Sequence, residues 1–171
     1  MDEAIRLRQV EPGDLEAFFA QQSDLVAWRM VAFPTKEPRD RPAFDAHWRK
    51  IQADPAILIR TIARGERVVG HVLSFPLGAE RNVGYWVARE EWGRGVATAA
   101  LAALLRLVIE RPLYARCAKD NVASARTLRR AGFVVGREER VVSQARGGEI
   151  DELFWVLEGP AGAVPAARAV S

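Results

Sequence analysis

The apolar positions along the chain change their period several times, and each change marks an element. "AIRLRQV" alternates apolar and polar residues and predicts a first strand. "EPGDLEAFFAQQ" then shifts to helical spacing, with Asp14 near its start and Pro12 before it. From Asp24 to Arg41 the pattern is irregular and rich in proline, which predicts a long, partly helical loop. "PAFDAHWRKIQA" sets Phe44, Trp48 and Ile51 at helical spacing and predicts a second amphipathic helix. "AILIRTIARGERVVGHVLSFPL" reads as a hairpin turning at "RGER", and "RNVGYWVA" as the next strand. Val96 to Glu110 is apolar almost all round and rich in alanine, so a helix buried against a sheet is expected, stopped by Pro112. "LYARCA" is another strand, and "VASARTLRRA" a short helix closed by Gly132. "FVVGREERVV" and "EIDELFWVL" form a closing pair of strands.

The resulting order is β-α-α-β-β-β-α-β-α-β-β. A hairpin followed by one strand-helix-strand crossover predicts a mixed-sheet α/β fold and argues against a doubly wound parallel sheet. The pattern shows neither an internal repeat nor a linker, so one domain over residues 1–158 is expected. "GPAGAVPAARAVS" has no periodic apolar face, and residues 159–171 are expected to form a disordered tail.

Composition narrows this picture. The chain has 171 residues, 49% of them apolar, which is ample for one globular core. The net charge is +3, and most basic residues are arginines scattered among acids; the lysines are Lys36, Lys50 and Lys119. That arrangement argues against a basic nucleic-acid arm and for a mixed solvated surface. Cys117 is the single cysteine, so an internal disulfide and a thiolate-based zinc site are both excluded. The first residues are charged, unlike a signal peptide, and the longest apolar run is broken by Arg106, unlike a membrane span. A cytoplasmic protein is expected, with no metal.

One stretch carries a chemical question. In "EEWGRGVATAAL", Gly93 and Gly95 stand where a strand gives way to a helix that has no obvious side-chain cap. A helix N-terminus presents several unpaired N–H groups and about half a positive charge. Glycines there let a phosphate reach the backbone, and Ala97 keeps the surface small. Tight packing alone would also explain such glycines. A P-loop is excluded because no Gly-Lys-Ser/Thr follows. The dinucleotide fingerprint lacks its third glycine, since Thr98 follows Gly95, which disfavours a nucleotide-dependent oxidoreductase.

A second motif, "KDNVASARTLRRAGF", supplies the rest. Taken together, the two resemble the GNAT superfamily of N-acetyltransferases, in the branch of RimJ/RimL-like enzymes that acetylate ribosomal-protein N-termini. The family's Gln/Arg-x-x-Gly-x-Gly/Ala motif falls on Trp92-Gly93-Arg94-Gly95-Val96-Ala97; Gly95 and Ala97 match, and Trp92 replaces the usual Gln or Arg. Asn121, Ser124, Leu128 and Gly132-Phe133 match the later motif. The resemblance spans roughly residues 4 to 157.

It implies a GNAT fold with splayed central strands and acetyl-CoA as cosubstrate. Trp86 and Val87 would face the cofactor's arm, with a backbone N–H near Val87 polarising the acetyl carbonyl. The segment Gly93, Arg94, Gly95, Val96, Ala97, Thr98 would hold the pyrophosphate. Asn121 would bind near the arm, and Arg126 or Arg129 near the adenosine end; Asn121 also reads as a plain helix cap. Many members carry a tyrosine acid where this chain has Leu128, so Ser124 is the candidate proton donor. Glu66, Glu80 and Glu149 read as surface charges, His71 as a core residue that could instead reach the groove, and Cys117 as an inert buried thiol. Trp28, Arg29, Met30 and Phe33 would line the acceptor entrance or close the core. The activity implied is acetyl transfer to a primary amine, a protein N-terminus or a small molecule, by a monomer or homodimer. A non-catalytic acetyl-CoA-binding module is the alternative.

Overall fold

The computed structural model describes residues 3–31 and 37–159. The expected tail and the candidate Phe33 lie outside the described residues. The elements are β1 (Ile5–Arg8), α1 (Asp14–Gln22), α2 (Leu25–Met30), α3 (Arg41–Ala53), β2 (Leu58–Arg64), β3 (Arg67–Leu77) and β4 (Glu80–Val87). They continue with α4 (Val96–Leu107), β5 (Leu113–Ala118), α5 (Val122–Arg130), β6 (Val134–Ser143) and β7 (Gly148–Leu157). Seven strands form one mixed sheet in the order β1-β2-β3-β4-β5-β7-β6. Every neighbouring pair is antiparallel except β4 and β5, which are parallel.

The expected order holds, with detail added in two places. The proline-rich loop contains α2, a single short helix started by Asp24, whose carboxylate accepts from the Val26 and Ala27 N–H groups. α4 ends at Leu107, before Glu110 and five residues ahead of Pro112. Beyond it Ile109 is 83% exposed, so no sheet surface rewards continuing the helix. Two β-branched residues and an arginine before proline disfavour helix there as well. α5 closes as its glycine predicts: Gly132 sits at φ 95°, the Phe133 N–H reaches Leu128 O and the Gly132 N–H reaches Arg129 O.

Two apolar layers clamp the sheet. On one face Ala100, Leu101 and Leu104 of α4 and Leu128 of α5 pack on Val72, Val83, Leu113 and Trp155. On the other, Phe18 of α1 and Phe44 and Trp48 of α3 pack on Ile59 of β2. His71 belongs to this second layer, with its ring 4.9 Å from Phe18 and 5.0 Å from Trp48. Burial pushes its pKa down to about 3, so it is a neutral core residue, the first of the two roles considered for it.

The first turn of α1 is fixed by a buried carboxylate. Asp14 takes two Arg8 N–H groups at 2.6 and 2.7 Å, the Thr61 hydroxyl at 2.6 Å and the Glu11 N–H at 2.9 Å. Burial raises its pKa, but these donors outweigh burial and hold it below the ordinary value. A depressed carboxyl stabilises the fold above its unfolded pKa, and that contribution is lost as pH falls through the folded pKa. Asp14→Asn should therefore cost about 3 kcal/mol at pH 7. In urea unfolding the difference from wild type should shrink as pH drops below 4; a pH-independent difference would show that the carboxylate's charge is immaterial.

Candidate functional site

β4 and β5 begin as sheet neighbours and then part. Arg81 pairs with Leu113 and Asn82 with Tyr114, and no further rung forms between them. Each strand stays anchored on its far side, β4 to β3 and β5 to β7. A cavity of about 540 Å³ opens along the parting, lined by Val83 to Val87 of β4 and by Ala115, Arg116 and Cys117 of β5. Successive N–H groups along a strand point to opposite sides. The Ala88 N–H bonds to Val69 O of β3, so the Val87 groups point into the gap. The Val87 carbonyl is taken by the Trp92 indole N–H at 2.9 Å. Trp92, the departure from the family motif, thus pins the end of β4.

The N-terminus of α4 closes one end of the cavity. Its cap residue Gly95 is left-handed, at φ 75° and ψ 7°, and makes no side-chain cap hydrogen bond. The first helical bond is from the Ala99 N–H to Gly95 O, so the earlier N–H groups have no intrahelical partner. Gly93 is left-handed too, at φ 74°, and a methyl group placed on either glycine would meet nothing within 4 Å. Packing therefore does not account for the glycines. They serve a turn that leaves bare backbone N–H groups facing open space, which fits a pyrophosphate.

Glu91 anchors this turn from below. It is 1% exposed and paired with Arg64 at 2.8 Å and with Arg67, while Arg94 approaches to 3.9 Å. Of the residues expected to hold the cofactor, Trp86, Val87, Gly93, Gly95, Val96, Ala97, Thr98, Asn121 and Arg126 all line the cavity, as does Ser124. Arg94 does not; its guanidinium turns back toward Glu91.

α5 forms the opposite wall. Asn121 Oδ1 accepts from the Ser124 N–H at 3.1 Å, and its Nδ2 donates to Met30 O at 3.2 Å. It is therefore both the helix cap and a strap on the end of α2. Arg146 adds a second strap, donating to Arg29 O and pairing with Asp120. Of the proposed acceptor residues, Met30 lines the cavity, Trp28 is half-buried outside the lining, and Arg29 is exposed, engaged through its carbonyl alone. Ala27 and Val31 join Met30 there.

Three residues were not singled out by sequence. Tyr85 puts its hydroxyl 2.7 Å from Ser124 Oγ, and burial pushes its pKa up to about 12 despite hydrogen bonding with Ser124 and Thr127. Glu91 is the buried carboxylate just described. Glu152 of β7 is fully buried, with neither carboxylate oxygen hydrogen-bonded. Burial pushes its pKa up to about 7, opposed by Arg116 and assisted by Glu139. The only available signal was for Glu152, which follows Asp151 and breaks the polar-apolar alternation of β7. Cys117 is buried, with its pKa raised by that burial, and its sulfur accepts from the Trp155 indole N–H at 3.2 Å. Among the described residues no group of three His, Cys, Asp or Glu side chains is arranged to hold a metal ion.

The family model of the acetyltransferase (GNAT) domain matches residues 4–134. No curated protein sequence matches the chain. Solved structures match along nearly their whole length. The spermidine N-acetyltransferase of Vibrio cholerae, solved with CoA and spermine, superposes with a TM-score of 0.76 at 16% identity, over 90% of this chain and 95% of that one. The Mycobacterium smegmatis RimJ, in complex with CoA-disulfide, gives 0.76 at 21% identity over 95% and 84%. The ribosomal-protein-alanine N-acetyltransferase of Brucella melitensis gives 0.77 at 23% identity over 90% and 99%.

Two predictions follow from the site's electrostatics. Gly95→Asp places a carboxylate at the open N-terminus of α4, and aspartate tolerates the left-handed region better than most residues. Calorimetry should show CoA affinity falling by at least tenfold, with an unfolding cost of about 1–2 kcal/mol from backbone strain; unchanged affinity would separate the glycines from phosphate. Glu152, with a raised folded pKa, favours its protonated form, so the native state loses stability as pH rises from about 4.5 to 7. Glu152→Gln should raise the melting temperature at pH 8 and have little effect at pH 4, and equal effects at both would sink the assignment.

Proposed function

The chain belongs to the GNAT acetyltransferases, which are acetyl-CoA-dependent N-acetyltransferases, and we propose that it acetylates a single primary amine within a ternary complex. The acceptor in this reading is a protein N-terminal α-amine, as in the RimJ/RimL-like branch, or a small monoamine. The observation that carries it is the convergence of three features on one cavity: the parted strands, the uncapped helix and the Ser124 hydroxyl.

The residues fit acetyl-CoA in a consistent order. The bare N–H groups of Gly93 to Thr98 suit the pyrophosphate, and Arg126 and Arg130, one turn apart on α5, add positive charge beside it. The unpaired edge of β4 suits an amide-bearing pantetheine arm, which adds as an extra strand. The Val87 N–H faces the gap and can polarise the acetyl carbonyl. Bound there, acetyl-CoA supplies a thioester open to direct attack.

Charge favours a monoamine over a polycation. Arg116, Arg126 and Arg130 line the cavity, and Glu91, the one carboxylate among its described lining residues, is already paired with Arg64 and Arg67. Arg116 lies on the acceptor face. Ala115 and Cys117 beside it point into the α4–α5 core, so Arg116 points the other way, over the Phe154 ring at 4.5 Å.

The reaction forms a C–N bond and breaks a C–S bond; the nitrogen loses a proton and the sulfur gains one. Ser124 relays that proton. Free-thiol release from acetyl-CoA with N-terminal peptides, small monoamines and spermidine tests the reading. Turnover with the first two classes and little with spermidine is expected; turnover confined to spermidine would overturn the acceptor, and binding without thiol release would favour the non-catalytic alternative. Ser124→Ala should lower kcat about a hundredfold with acetyl-CoA binding intact. Asn121→Ala should instead cost about 1 kcal/mol of stability as a lost cap.

A further inference from the structure

Leu128, at the position where many members of the family carry a tyrosine, is 1% exposed in the apolar core and offers no proton. A tyrosine nevertheless reaches the cavity from a different element. Tyr85 stands on β4 within the parted segment, on the side facing α5, and its hydroxyl meets Ser124 Oγ at 2.7 Å. Both residues line the cavity, and they lie 39 positions apart in sequence. We propose that Tyr85 is a positioning residue for acetyl transfer: its phenol donates to Ser124 Oγ and thereby turns the Ser124 proton toward the thioester sulfur. The inference rests on the reading of Ser124 given above.

A serine hydroxyl has one proton and two lone pairs. Once it accepts from Tyr85, its own proton is free for a second acceptor. The Ser124 backbone is itself held by the Asn121 cap, so the hydroxyl is fixed from two sides.

Tyr85 does not act as the acid. Its proton is committed to Ser124 Oγ at 2.7 Å, and its pKa of about 12 keeps the phenol protonated. The phenol stays neutral and remains a donor throughout. As the C–S bond breaks, the sulfur takes the Ser124 proton. The nitrogen that has formed the new C–N bond returns its proton to Ser124 Oγ. Serine and tyrosine end as they began, and the single proton exchanged has moved from nitrogen to sulfur.

The test is a double-mutant cycle: Tyr85→Phe in wild type and in Ser124→Ala, with the best acceptor of the amine panel. In wild type kcat should fall about tenfold, the size expected for one lost hydrogen bond, with acetyl-CoA affinity and melting temperature little changed. In the Ser124→Ala background the same substitution should have no effect, because its target is gone. Wild-type kcat in Tyr85→Phe overturns the inference. So does an equal loss in both backgrounds, or a fall in kcat matched by falls in affinity and melting temperature. A wild-type chain that binds acetyl-CoA and acetylates no amine overturns the functional reading itself, and the inference with it.

Discussion

The site depends on a sheet pairing that is begun and then abandoned. β4 and β5 share two rungs, at Arg81–Leu113 and Asn82–Tyr114, and then diverge while β3 and β7 hold their outer edges. A buried strand edge must satisfy its backbone polar groups somehow. Here the Trp92 indole satisfies one carbonyl, and the rest face a cavity. The divergence thus creates the volume and a row of groups able to recognise an amide-bearing chain. Tyr85 lines that volume, and its hydroxyl reaches Ser124 of α5.

Charge is distributed so that this opening attracts anions from one side. Glu91 lies at the lip, and an unpaired carboxylate there would repel a phosphate. Arg64 and Arg67 bind it instead, and the field of the α4 N-terminus and of Arg126 and Arg130 is left uncancelled. The same pairing has a mechanical effect. Glu91 ends the short turn Arg89–Glu91 immediately before Trp92 and Gly93, so fixing its carboxylate fixes the entry to the glycine turn. α2 is held at both ends: Asp24 pairs with Arg89 at 2.6 Å, and the carbonyls of Arg29 and Met30 are taken by Arg146 and Asn121. Asn121 therefore couples α2 to the helix that carries Ser124.

Much of this is local and can be read from one chain. Strand alternation, helical spacing, Gly132 and the glycine turn each depend on residues within a few positions of one another, and all appear in the fold as expected. α2 hides because only six residues follow its Asp24 cap, too few for a period to show. The length of α4 was overestimated because its apolar pattern runs on past the last residue that has a sheet to pack against. Tyr85 is illegible, and Glu152 only faintly legible, for a different reason. A tyrosine in "VGYWVA" looks like any strand aromatic until the parting of β4 and β5 brings it to Ser124, and no spacing encodes a contact across 39 residues. Glu152 breaks the alternation but sits in a run of charges that reads as a solvated face, and its burial shows only in the folded sheet, where β7 is central between β5 and β6.

The same geometry bears on how the acceptor is chosen. His71, with a pKa near 3, stays neutral in an aromatic pocket away from the cavity, and Glu152 is sealed from solvent. On the proposed reading Tyr85 keeps its proton, Ser124 only passes one along, and no strong base takes the proton from an incoming ammonium, so the amine must arrive neutral. An α-amine with a pKa of about 8 is neutral in roughly a tenth of molecules at pH 7, whereas a lysine side chain at about 10.4 is neutral in roughly one of 2,500. A site built from neutral donors thus discriminates by acceptor basicity before any contact with the rest of the acceptor is made. The arginine at the acceptor face acts in the same direction, since it penalises every additional positive charge that accompanies the reacting nitrogen.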